Sequence, residues 1–218
     1  MSKATNDIVY PSMIPFLMVH VACMAVFFTG VTPTALVLCG VFYFVRMFGI
    51  TAGHHRYFSH RAYSTSRWFQ FVLAFTGQMT AQKGALWWAA KHREHHKNSD
   101  TPLDVHSPRH HGFFFSHLGW VFSRRNGKAD YSLIKDFTQY RELVWLNKYH
   151  HVPAAALALA CLLIGGFPGL IVGFFVSTVL TYHCYLHDQL AGPCGGPAAV
   201  RDRGRFTEQL GSGHRDPW

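Results

Sequence analysis

Five histidines in two short clusters carry the chemistry that this 218-residue sequence suggests. His55 and His60 stand in Gly53-His54-His55-Arg56-Tyr57-Phe58-Ser59-His60, an H-x4-H pair. His92, His95 and His96 stand in Lys91-His92-Arg93-Glu94-His95-His96, an H-x2-H-H triple. On a helix His92 has His95 at i+3 and His96 at i+4, so the spacing predicts three imidazoles on one face. Neutral imidazole is a ligand for Fe, Zn, Cu and Ni, and clustered imidazoles with vacant positions suit iron that activates O2. Protonated, these side chains would repel one another. Metal binding keeps them neutral and uses their lone pairs.

Sixteen histidines are far more than packing needs, and not all belong to the clusters. His20, His117 and His150 read as structural or solvated residues, while His106, His110 and His111 stay open between surface positions and outer partners of the ligands. The five cysteines follow neither a metal-ligand nor a disulfide spacing. Cys23, Cys39 and Cys161 lie inside apolar runs, where a thiol acts as a small hydrophobe, which points to a reducing compartment or a membrane.

The elements that must position the clusters are written in the hydrophobic pattern. From Met13 to Gly30 the chain is apolar apart from His20 and Thr29; after a break at Pro33 a second run extends from Ala35 to Ile50, interrupted by Arg46. Each run is roughly 17 residues, close to what a bilayer core requires, and the short break predicts an antiparallel hairpin of spanning helices. No cleavage site or secreted domain follows the first run, so a signal peptide is not expected. Residues 66–90 read as an amphipathic helix lying in the interface and running into Trp87-Trp88. Residues 91–150 form a polar block with ten Lys/Arg and eight histidines. A second hairpin is predicted from Ala154–Ile164, a Gly165–Gly169 turn and Leu170–Tyr182. The basic block then sits on the cytoplasmic side, with both termini.

Composition agrees. Charged residues are only 14% of the chain against about 25% in soluble domains, which argues against a chain that is as a whole a disordered tail, a coiled coil or an ordinary soluble protein. The net charge of +9 suits nucleic acid, a membrane surface or an anionic substrate equally well. A nucleic-acid role is not expected, because the charges flank apolar runs and no reading motif is present.

Beyond the clusters, Thr51–Tyr63 (TAGHHRYFSHRAY), Trp87–Ser99 (WWAAKHREHHKNS) and Gly112–Trp120 (GFFFSHLGW), the last followed by Arg124-Arg125, resemble the membrane-bound fatty acid desaturases of the acyl-CoA delta-9 (stearoyl-CoA) type. The resemblance spans roughly residues 13–184. It implies an all-α membrane protein with four transmembrane helices in two hairpins, an interfacial amphipathic helix and a cytoplasmic histidine-rich cap. It also implies a di-iron centre and O2-dependent formation of a cis double bond in a long-chain acyl thioester. Electrons would come from a ferredoxin-, rubredoxin- or cytochrome-like carrier. His55, His60, His92, His95 and His96 match ligand positions of the family, and Arg124 and Arg125 match positions that meet the anionic head of the substrate, a charge-assisted role.

The sequence also departs from the family. A ligand histidine in an N-S-x-x-H segment and a third box of the form H-x2-H-H are absent, leaving five of the family's nine ligand histidines. From about Tyr185 the chain turns rich in Gly, Pro, Arg and Asp. Suitable codons for 187–194, 200–210 and 211–218, each read one base later, yield T-I-N-S-L-A-H, Y-E-T-G-D-D-S-R-N-N-W and A-R-A-T-V-T-L-G, which are desaturase segments. The expectation is a frameshift near Cys184, a desaturase domain over 1–184, an aberrant disordered tail over 185–218, and little or no desaturation by this chain alone. Two alternatives remain: a histidine-box membrane hydroxylase or alkane monooxygenase, which the GFFFSHLGW stretch disfavours, and a non-catalytic membrane protein binding one metal weakly.

Overall fold

The computed structural model describes residues 7–191 apart from 100, 102 and 105; of the tail expected over 185–218, residues 192–218 lie outside the described residues, and 185–191 continue the last helix. Among the described residues every element is helical, and the one extended pairing is an isolated bridge between Ile8 and Ser123. Three helical stretches are long and apolar enough to cross a membrane: Tyr10–Thr29, Pro33–Ser59 and Val152–Tyr185, with 20, 27 and 34 residues. At 1.5 Å rise per residue the shortest spans about 30 Å, the thickness of a hydrocarbon core. Their outward faces are apolar: Phe28 is 92% and Leu163 75% exposed, which suits lipid contact rather than water.

The first stretch is α1 (Tyr10–Cys23) followed by the short α2 (Val26–Thr29). α3 (Pro33–Phe48) begins where Thr32 caps it, its side chain accepting from the Ala35 backbone N–H at 3.2 Å, with proline in the first turn. Arg46, the one interruption of the second apolar run, is fully buried and joins helices. It donates to the Phe42 carbonyl at 3.0 Å and to the Thr178 hydroxyl at 2.7 Å. An arginine there keeps its hydrogen bonds inside the protein, away from lipid.

α3 then widens into an eleven-residue π-helical segment, Gly49–Ser59, which holds the first histidine cluster. Glycines let it lie against α4 (Arg67–Gln78): a Cβ on Gly49 would stand 2.5 Å from the Gly77 nitrogen and 2.7 Å from the Thr76 carbonyl carbon. Those are backbone atoms and cannot swing aside. Gly49→Ala is therefore expected to cost about 3 kcal/mol, the upper end of overpacking penalties, by unfolding in detergent. Gly40→Ala, with nothing within 4 Å of its Cβ, is the control expected to leave the transition unchanged or slightly raised.

Residues 66–90 form two helices rather than the single one expected. α4 ends at Gln78, and Trp87 and Trp88 belong to α5 (Ala85–Asn98). Gln78, fully buried, accounts for the break: its side chain accepts from the Ala85 N–H at 2.8 Å and donates to the Leu146 carbonyl at 3.1 Å. It thereby satisfies a donor at the start of α5 that no residue of α5 can reach.

Short helical pieces follow: α6 (Pro108–His111), α7 (Phe113–His117), α8 (Lys135–Thr138) and α9 (Arg141–Lys148). α8 and α9 pack with the π segment, α4 and α5 around a core that includes Phe58, Leu73, Leu86, Ile134, Phe137 and Leu146, while α7 adds Phe115 to a second cluster with Trp87, Trp88 and Trp120. The last long stretch comprises α10 (Val152–Pro168), a π-helical segment Gly169–Val176 and α11 (Ser177–Ala191). It is not a straight rod. Gly166 has φ +62°, a conformation that glycine adopts without strain, and positions 169 and 173 both lie against Cys161.

Candidate metal centre

Within an α-helix, residues five apart point about 140° away from each other, so an H-x4-H pair cannot converge on one ion. The π winding removes that obstacle. Its i→i+5 bonds include His60 N–H to the His55 carbonyl at 3.1 Å, and they bring the two imidazoles together with Nε2 atoms 3.1 Å apart. The second cluster arrives on α5. His92 Nε2 lies 3.3 Å from His60 Nε2 and 3.0 Å from His96 Nε2. Ligand atoms of His55, His60, His92 and His96 all fall within 4.8 Å of one another.

These four residues fit a metal ion. Imidazole nitrogens bind first-row metals at about 2.0–2.1 Å, which places adjacent ligand nitrogens about 2.9–3.4 Å apart, and the contacts above lie in that range. Two of the four donors are also kept neutral. Burial, then His96, His55, His95 and His60, hold His92 well below the ordinary imidazole range. Burial, then His60, His95 and His55, bring His96 to about 3. Trp88 stacks on His92 with centroids 4.7 Å apart and planes at 17°, which orients the ring.

His95 does not join this group. Positions i+3 and i+4 fall on opposite sides of i, about 100° apart around the helix, so His95 and His96 flank His92 and diverge. His95 meets Asp104 and His106 instead, and ligand atoms of these three also lie within 4.8 Å of one another. Its Nδ1 is 2.7 Å from the Asp104 carboxylate, and its ring stacks on His106 at 4.1 Å. Burial pushes the Asp104 carboxyl up, but the hydrogen bond and charge of His95 outweigh it, and the net value is lowered. His106 is brought to about 3 by burial, then by His95. Asp104 escaped the sequence reading. Its only signal is a carboxylate two residues before His106, in a loop whose folding back onto α5 no helical spacing encodes.

Acid should loosen this region when no metal is bound. His96 and His106 refuse protons down to about 3, whereas in an unfolded chain imidazoles take them up near 6.5. Between those values the unfolded state binds more protons, so stability rises with pH and is lost as pH falls. Each neutral imidazole shifts the unfolding equilibrium by up to about tenfold per pH unit. Melting of the metal-free chain is expected to be level above about pH 6.5 and to fall steadily below it. A level profile down to pH 5 would contradict the burial of these rings.

The other singled-out residues are distributed as follows. His54 is buried and packs its ring against Gly77, outside the cluster. His20 and His117, read as lone residues, both approach His183: His20 Nε2 is 3.0 Å from His183 Nε2, and the His117 and His183 rings stack at 6.2 Å. His111 donates from Nε2 to the Asp104 carbonyl at 2.9 Å, and His150 contacts His151. Arg124 and Arg125 are exposed on a 3-10 turn (Arg124–Asn126). Arg125 lies 3.7 Å from Asp7 and 5.3 Å over the Phe115 ring, so part of its charge is already engaged. Ser123 donates to Asp7 at 2.7 Å and ties this turn to the start of α1.

Helical throughout its described residues, with membrane-length apolar helices and histidines from two helical segments gathered where a metal ion fits, the chain is an integral membrane protein with a polyhistidine cluster that could hold a metal. The comparisons make the class specific. The fatty acid desaturase family matches residues 30–190, and the chain belongs to that family, whose members are oxidoreductases. It is 36% identical over 137 residues to the sn-1 stearoyl-lipid 9-desaturase of Anabaena variabilis, covering 62% of this chain and 50% of that protein. It is 33% identical over 177 residues to an acyl-CoA 5-desaturase of Anemone leveillei, covering 75% and 52%. To stearoyl-CoA desaturase 2 of Rattus norvegicus it is 33% identical over 152 residues, covering 66% and 37%. The chain thus spans about half the length, or less, of these relatives.

Proposed function

We propose that the chain carries part of the di-iron centre of an O2-dependent desaturase acting on a long-chain acyl thioester such as an acyl-CoA. The observation that carries this reading is the convergence of His55, His60, His92 and His96 on one point in a chain of the fatty acid desaturase family. His55, His60, His92, His95 and His96 are the proposed ligands. Iron held there would supply O2 activation, by which an unactivated methylene pair loses two hydrogens and O2 leaves as two waters, with two electrons and two protons from outside. The chain's own part is to keep His92 and His96 neutral by burial, orient His92 through Trp88 and His95 through Asp104, and hold water away with the aromatic packing of Trp87, Trp88, Phe115 and Trp120. Arg124 and Arg125 would meet the anionic head of the substrate, and their exposure beside the start of α1 supports that role. The electron donor would be a ferredoxin-, rubredoxin- or cytochrome-like protein docking on the cytoplasmic face, where the boxes and termini are assigned by their basic charge.

Four spans in two hairpins are part of the proposal. The break at Gly166 and the packing of positions 169 and 173 against Cys161 support two spans within Val152–Tyr185. Residues 1–184 would form the desaturase domain, with an out-of-frame tail after it.

Metal and product analysis test the reading together. The purified 218-residue chain is expected to retain fewer than two irons and to leave a long-chain acyl-CoA unchanged. The same chain continued in the plus-one frame after Cys184 is expected to carry two irons and yield a cis-unsaturated product. Two irons and desaturation from the short chain would overturn the expected inactivity, and a hydroxylated product would overturn the desaturase assignment.

A further inference from the structure

We propose that Asp104 is a positioning residue of the metal centre: its carboxylate accepts a hydrogen bond from the Nδ1–H of His95 and so turns the His95 Nε2 lone pair toward a metal ion. This rests on the reading of His95 as a ligand, but its geometry stands by itself. Asp104 is 2% exposed, and its Oδ1 lies 2.7 Å from His95 Nδ1. A carboxylate oxygen can only accept there unless protonated, so Nδ1 carries the hydrogen and Nε2 of the neutral ring is the free donor atom. The same Oδ1 accepts the His106 backbone N–H at 3.2 Å, and the Asp104 carbonyl accepts from His111 at 2.9 Å. The carboxylate is thereby held on a folded-back loop and not on the helix it serves.

His95, Asp104 and His106 might be taken for a three-ligand site of their own, and the ring geometry decides against it. The His95 and His106 planes are 22° apart with centroids at 4.1 Å, a stacked pair. Imidazole donates in its own plane, so an ion about 2 Å from one ring's nitrogen would lie well out of the plane of the other. His106 acts as a slab against the face of His95, backed by Trp120 at 4.9 Å, while Asp104 fixes rotation within the plane. This division of labour is what outer partners of metal-bound histidines provide. The clamped ring sits beside the four-imidazole group, its centroid 5.4 Å from that of His96.

The test uses the whole chain in detergent with Co(II) as the probe. In the metal-free protein, 15N NMR of histidine-labelled samples, with His95 identified by its loss in His95→Gln, is expected to show the Nδ1–H tautomer. Asp104→Asn is expected to abolish that preference and Asp104→Glu to keep it. In Co(II) titrations followed by visible absorption, Asp104→Asn is expected to weaken binding about 10–100-fold without changing the number of ions bound. An Nε2–H tautomer in the unaltered chain overturns the proposal even if the variants fail to fold. Unchanged tautomer and affinity in Asp104→Asn overturn it too, and loss of a whole Co(II) equivalent would make Asp104 a ligand instead. If the unaltered chain bound no Co(II) at all, the metal-centre reading would fall, and the tautomer measurement would still decide the role of Asp104.

Discussion

His92→Ala is expected to empty the centre. His92 is the imidazole on which both clusters close: its Nε2 approaches His60 of the first cluster and His96 of its own, at 3.3 and 3.0 Å. Deleting it leaves His55, His60 and His96, whose ligand atoms lie within 4.8 Å of one another, one donor short of the four. Loss of an outer partner of a metal-bound histidine costs about 10–100-fold in affinity, and loss of this ligand should exceed that range. Binding of Co(II) or Fe(II) by the metal-free chain, measured by titration, would show it. His150→Ala, which alters a ring packed against His151, is the matched control and should bind as the parent does. Retained affinity in His92→Ala would mean that the four imidazoles are not one site.

The largest effect on stability is expected from Arg93→Met. Arg93 sits next to His92 on α5 but faces the opposite way, and it uses every donor it has. Its Nε donates to the Ser59 carbonyl at 3.0 Å. Nη1 serves the Leu133 carbonyl at 2.7 Å and Asp136 at 3.0 Å, and Nη2 serves the Phe58 carbonyl at 2.7 Å and Asp136 at 2.9 Å. Five N–H groups thus make five hydrogen bonds, and the guanidinium fork is the only side chain that matches them. Methionine would leave three carbonyls short of a donor and Asp136 facing only Arg61, which is 3.6 Å away and largely exposed. Breaking one side of a buried ion pair costs about 3–5 kcal/mol, and the residual Arg61 contact places this variant near the lower end. Because Phe58 and Ser59 directly precede His60, the same substitution should also weaken metal binding. Denaturation in detergent and metal titration read the two effects separately. Arg67→Ala provides the contrast. The Arg67 hydrogen bond brings the Glu142 carboxyl to about 2, yet the pair is exposed and screened by solvent, so Arg67→Ala is expected to leave the unfolding transition nearly unchanged.

The features legible in the sequence share one property: they depend on short-range geometry or on run length. The apolar runs around Met13–Gly30 and Ala35–Ile50 could be read because a hydrocarbon core sets a minimum length that no soluble helix needs. The pairing of His92 with His96 could be read because four residues make about one helical turn. The family could be recognised from local strings such as Gly112–Trp120. Two local expectations did change. Residues 66–90 became two helices because Gln78 caps the second from outside, and His95 parted from His92 and His96 because i+3 and i+4 lie on either side of i.

The sequence by itself therefore determined the class of protein and the apolar stretches long enough to cross a membrane, and it singled out the candidate histidines. Tertiary structure decided how those histidines are shared. H-x4-H converges only because the backbone widens into a π segment, and that widening is secured by Gly49 and Gly53 lying against α4. His95 finds Asp104 only because the loop after α5 folds back onto it, and His20 finds His183 across 163 positions of sequence. Arg46 reads as an interruption of an apolar run and Arg93 as one charge of the 91–150 polar block, yet both are buried hubs in the folded protein. The physical reason is common to all of these. A helix repeats its own geometry, so contacts within a turn follow from spacing, whereas a contact between elements depends on where the chain crosses itself, and one sequence read along its length does not contain that crossing.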